Sequence, residues 1–96
     1  MAVPPHDGMY NQVLTAIREL GGSASIQELE DATAKLLGLT EADLAIIQER
    51  HNRTLYGYRL AWARTYLKLA GYLDNTARGV WSLTSKGAKV SAVGMV

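Results

Sequence analysis

The chain has 96 residues, 48% hydrophobic and 20% charged, with a formal net charge of +1 and no cysteine. That balance describes one domain with a modest core, does not suggest a disordered chain, and excludes a disulfide scaffold and thiolate chemistry. No apolar run approaches the roughly 18 residues that cross a bilayer, and MAVPPHDG has no basic segment leading into an apolar one. The expectation is an unprocessed cytoplasmic protein without a membrane partner.

Tyr10, Val13, Leu14, Ile17 and Leu20 recur at helical spacing and predict a first helix from about Gly8 to Leu20, capped by Asp7 and stopped by Gly21 and Gly22. Ser25 and Glu28 form a capping box that opens a second helix, burying Ile26, Leu29, Ala32, Thr33, Leu36 and Leu37 and ending at Gly38. Thr40 and Asp43 open a short third helix from Glu41 to about Gln48, and the polar run ERHNRT reads as a loop. The longest helix runs from Leu55 to Ala70, with Tyr56, Leu60, Ala63, Tyr66, Leu67 and Ala70 on its apolar side. Gly57, Tyr58, Ala61, Arg64, Thr65 and Lys68 occupy the opposite arc, with Trp62 at its edge, while Arg59 falls unexplained among the apolar residues.

Gly71 ends this helix in a left-handed turn. Leu73 starts a strand, Asn75 to Gly79 makes a five-residue turn, and Val80 to Leu83 returns as a second strand. Thr84 caps a last helix to about Val93, unless Gly87 and Gly94 shorten it. The order predicts a mainly α fold with a small β-hairpin, a winged helix-turn-helix, as a single domain over residues 1–96. Trp62 and Trp81 are read as packing residues.

Catalytic constellations are not evident. His6 and His51 stand apart from any serine or acid at a triad or metal spacing and read as surface histidines. Glu28, Glu30 and Asp31 fill the first turn of a helix, where the macrodipole favours acids, and no glycine run has phosphate-cradling spacing. Charge is distributed unevenly instead. Residues 1–48 hold two cations against seven acids, a net of −5, and residues 49–96 hold eight cations against two acids, a net of +6. Arg50 and Arg53 precede the long helix, Tyr58, Arg64, Thr65 and Lys68 lie on its polar arc, and Arg78 tips the hairpin. In a winged helix this arc enters the major groove and the wing reaches nearby phosphates, so these seven residues are the candidate DNA contacts.

The stretch LAWARTYLKLAGYLDNTARGVWSLTSKGAKV, with VPPHDGMYNQVLTAI and LGLTEADL, resembles the N-terminal domain of Mrr-like restriction system proteins. The resemblance rests on Trp62-Ala63-Arg64, Leu67, Ala70-Gly71, Arg78-Gly79-Val80 and Thr84 to Gly87, and departs at Tyr72, where a leucine-like residue is more usual. It implies a winged-helix domain that binds double-stranded DNA, methylated or not, and positions a C-terminal PD-(D/E)xK-type nuclease domain in the same chain. No Asp followed by a Glu/Gln-x-Lys pair occurs in these residues, so the divalent metal would belong to that nuclease, and no cofactor is expected here. The chain itself is therefore expected to be no enzyme, although the longer protein would be a restriction endonuclease. Two alternatives use the same fold: a homodimerising or docking module contacting through Tyr56, Tyr58, Tyr66 and Trp81, and a transcriptional regulator.

Overall fold

The computed structural model describes residues 3–48, 50 and 53–90. After a 3₁₀ turn at His6–Gly8 come α1 (Tyr10–Glu19), β1 (Ser23–Ser25), α2 (Ile26–Leu37), α3 (Glu41–Leu44), β2 (Ile47–Gln48) and β3 (Arg53–Thr54). The chain continues through α4 (Leu55–Leu69), β4 (Leu73–Ala77), β5 (Val80–Leu83) and α5 (Ser85–Lys89). Antiparallel strands in the order β1-β5-β4 form one sheet, and β2 pairs with β3 in a second, two-stranded one. The fold is mainly α with a small β-hairpin, as expected. Met9, Val13, Leu14 and Ile17 from the first helix region meet Leu29 of α2, Leu60 and Leu67 of α4 and Leu73 of β4 in a core closed to solvent.

Local chemistry explains most element ends. Ser25 Oγ accepts from the Glu28 amide at 3.1 Å while the Glu28 carboxylate accepts from the Ser25 amide at 2.9 Å. The bond from the Ser25 amide, with the Ser25 hydroxyl acting in the same direction, also holds the Glu28 carboxyl below its ordinary pKa. Thr40 and Asp43 repeat the reciprocal pattern at α3. Asp7 does not cap α1: it lies in the 3₁₀ turn, and the fully buried Met9 occupies the cap position without a side-chain bond. Burial of Met9, and not a polar cap, fixes where this helix begins.

Several elements differ from expectation. α2 buries Leu29, Thr33 and Ala34, whereas Ile26 and Leu36 remain 36% and 42% exposed. α3 stops at Leu44, because Ile47 and Gln48 pair with Thr54 and Arg53 and the Leu55 amide donates to the Ile46 carbonyl at 2.8 Å. Part of ERHNRT is thus a strand. The three-residue β1 adds to β5, setting Ala24 opposite Trp81.

The hairpin turn is also tighter than five residues. β4 continues to Ala77, which pairs with Val80, so Arg78 and Gly79 alone form the tip, with Gly79 at φ +77°. A register shift between Asp74 and Ala77 accommodates one extra residue on β4. The Asn75 amide donates to the carbonyls of Ala77 and Val80 at 3.0 and 2.7 Å, bracing that irregularity. α5 ends at Lys89 and not near Val93, because Val90 is already extended. Arg18 of α1 donates to the carbonyls of Gly87, at 2.9 Å, and Val90, placing a cation at this helix's negative end.

Gly87 is required by contact. A Cβ there would lie 2.1 Å from the Tyr72 carbonyl oxygen, a backbone atom that cannot rotate aside. Gly87→Ala is expected to destabilise the protein by about 1–3 kcal/mol through overpacking. Urea denaturation should show a lower midpoint, and an unchanged midpoint would mean that α5 shifts freely against α4.

Candidate nucleic-acid interface

α4 is the element on which the expected contacts converge. Thr54 caps it, its hydroxyl accepting from the Gly57 amide at 3.1 Å. Gly57 suits this start because a Cβ would stand only 2.9 Å from that hydroxyl. Tyr56, Leu60, Ala63 and Leu67 form the buried arc, as the helical spacing predicts. Tyr56 also donates its hydroxyl to the Glu30 carbonyl at 2.7 Å, tying α4 to α2, and burial pushes its pKa upward, with Glu30 acting in the same direction.

The outer arc differs in one important residue. Arg64 is 7% exposed, so it does not stand with Thr65 and Lys68 on the solvent side. Its Cζ lies 5.5 Å from the centroid of the Trp81 ring, and its Nε and Nη1 have no hydrogen-bond partner among the described residues. Burial depresses its pKa, partly opposed by the Glu30 carboxylate. Arg64 is one helical turn from Leu60 on the flank covered by the wing strand β5. A helical wheel gives its angle, but only the fold supplies that cover. Gly57 is likewise buried.

With Arg64 inside, the outer arc is largely aromatic. Tyr58, Trp62 and Tyr66 follow one another at four-residue spacing, so they rise along one face. Trp62 is 42% exposed and Leu69 is 76% exposed, which removes Trp62 from the packing role expected of it. Trp81 keeps that role, half-buried against the core. Trp62 stacks on Tyr66 with ring centroids 5.7 Å apart, and Tyr66 stacks in turn on His6 at 4.9 Å. His6 is therefore half-buried in a ring stack and is no simple surface histidine. The Arg59 guanidinium donates to the Val3 carbonyl at 2.6 Å, which accounts for its place on the apolar side.

Two shallow depressions flank this ridge. One of about 320 Å³ is lined by Arg53, Tyr58, Ala61, Trp62 and Thr65. Its neighbour, about 260 Å³, is lined by Pro5, His6, Tyr58, Arg59, Trp62 and Tyr66. Among the described residues no acid lines either depression. The structure thus gathers Arg53, Tyr58 and Thr65 around one concavity. Lys68 is exposed on the last turn of α4, Arg78 is exposed at the wing tip, and Arg50 is exposed before β3. Of the aromatic set expected for a protein contact, Tyr56 is buried and Trp81 packs on the core, so those four residues do not make a surface. His51 lies outside the described residues.

Among the described residues no group of three or more His, Cys, Asp and Glu side chains could hold a metal ion, and no helix is long and apolar enough to cross a membrane.

An outward helix leading directly into a hairpin, backed by two helices and a three-stranded antiparallel sheet, is consistent with a winged-helix domain. The family model described as the Mrr N-terminal domain matches residues 7–92, and the chain belongs to that family, a domain of restriction system proteins. Neither a curated protein nor a solved structure matches it significantly.

The buried guanidinium yields a stability test. Arg64→Met keeps the volume and removes two unmet donors, so its stability should equal or exceed that of the parent. Arg64→Ala should lose stability through lost packing of the long stem. Chemical denaturation of the two variants separates these effects, and a Met variant as weak as the Ala variant would show that the cation itself holds the wing to α4.

Proposed function

We propose that this domain binds double-stranded DNA through the outer arc of α4 and the wing, and so positions a nuclease domain of a longer restriction protein. The observation that carries the reading is the α4 surface. Its outer arc is exposed, the helix contains no acid, and exposed cations stand before it, on its last turn and at the wing tip. Arg50, Arg53, Lys68 and Arg78 would neutralise phosphates, and Thr65, Tyr58 and Trp62 would face base edges. Arg64 is better assigned to holding the wing. Membership in a restriction family supports DNA as the partner. Hydrolysis and its divalent metal would belong to the nuclease domain, leaving the binding step without a cofactor, in the cytoplasm where restriction meets foreign DNA.

A second reading, contact with another protein or a second copy, is favoured by the exposure of Leu69 and Trp62. It would use Tyr58, Trp62, Tyr66 and Leu69. A regulator with a palindromic operator would use the same fold as a stable dimer.

Replacing both Lys68 and Arg78 by alanine should weaken duplex binding and reduce the slope of log K against log salt by about 1.8, which is roughly 0.9 per lost phosphate contact. Anisotropy titrations at several salt concentrations measure both quantities. A double variant with the parent's affinity and slope would remove these cations from the interface.

A further inference from the structure

Duplex DNA presents base edges and phosphates, but the most prominent group on the outer arc of α4 offers an aromatic face. Trp62 ends a three-ring stack whose other members are Tyr66 and His6. The stack fixes the indole against the helix, yet 42% of the residue stays exposed. Beside it, the depression of about 320 Å³ is lined also by Tyr58, Ala61, Arg53 and Thr65. Trp62 and Tyr58 also line the second depression, together with Arg59.

The geometry points to a stacking site for an unpaired nucleobase of single-stranded DNA, centred on the Trp62 indole. Three features select this occupant. A shallow apolar slot beside an indole accepts a flat ring, and base–aromatic stacking tolerates any base because each has a π-face. The exposed Arg53 stands at the first depression, and among the described residues acids line neither, so the ligand that suits them is an anion carrying planar groups. An apolar protein segment satisfies the first condition without the second. A base still paired in a duplex cannot turn its face to the ring, so the site engages a strand only where it is unpaired. This site lies on the face that the duplex reading also uses, but its binding energy comes from stacking and not from phosphate neutralisation.

The test compares a labelled oligothymidylate with an abasic strand of the same length, and therefore the same phosphates, by anisotropy on the 96-residue protein. The thymidylate is expected to bind about 5- to 140-fold more tightly, the range for stacking one base. Trp62→Ala should erase most of that difference, and Trp62→Phe, which keeps a smaller platform and the fold, should retain part of it. Equal binding of the two strands by the parent would overturn the proposal, and that result needs no variant. A Trp62-dependent self-association without base preference would overturn it too, assigning the face to a second copy. A duplex titrated alongside separates the two readings. Failure of duplex binding with the thymidylate preference intact removes only the duplex reading, and duplex binding with equal single-strand affinities removes only the stacking site.

Discussion

At the end of α4 three successive carbonyls accept hydrogen bonds from the start of α5, and the direction of the wing depends on that joint. Lys86 Nζ donates to the Ala70 carbonyl at 2.8 Å, the Thr84 hydroxyl to that of Gly71 at 2.5 Å, and the Thr84 amide to that of Tyr72 at 3.2 Å. These carbonyls lie at and just beyond the helix end, where no intrahelical donor reaches them, so the joint supplies their partners. Gly71, at φ +89°, turns the chain there, and Lys86 also lies 4.7 Å from the Tyr72 ring. The joint needs Thr84 as donor and cap and Gly87 as a position without a Cβ, which gives the Thr84 to Gly87 spacing a mechanical reason. Because α5 clamps α4, β4 departs along one line, and β5 returns over Arg64.

Legibility followed the range of the forces involved. Capping acts across three residues, so Ser25–Glu28, Thr40–Asp43 and the stop at Gly38 could be read from the sequence and appear as read. Strands of two or three residues carry no periodicity. Neither Ser23–Ser25 nor Arg53–Thr54 could announce itself, since each is a strand only through a distant partner. The wing turn looked longer because Asn75 resembles a turn residue, whereas here its amide braces a bulge inside a strand. The inner arc of α4 followed from apolar spacing alone. Arg64 did not, because its cover comes from β5.

The same distinction governs the charges. Of the eight cations in residues 49–96, three have structural roles: Arg59 bonds the Val3 carbonyl, Arg64 is buried beneath Trp81, and Lys86 caps α4. Their fields persist, but Arg59 and Lys86 already donate to protein carbonyls and Arg64 is buried, so contact with an outside polyanion falls first to Arg50, Arg53, Lys68, Arg78 and Lys89, which are exposed. A net charge divided along the sequence thus overstates the cations that can reach a ligand. Attraction by the remaining cations is long-ranged and screened by salt, which suits capture of a strand more than discrimination among strands.

Aromatic contact supplies the complementary property. Tyr66 lies between His6 and Trp62 in the stack, so its ring faces are already engaged, and Trp62 is the member at the open end. A ring held in this way loses little rotamer freedom on binding, which lowers the ordering cost that ordinarily offsets stacking. The arrangement limits capacity as well as cost: one open indole admits one base on that side, and the next ring along the ridge is 5.7 Å away and occupied. Successive bases in a duplex strand rise by about 3.4 Å, so this spacing does not match a regular stack. On the stacking proposal this surface would hold a single displaced base while neighbouring phosphates would meet Arg53 and Lys68, and its stacking contribution should persist at salt concentrations that silence the cations.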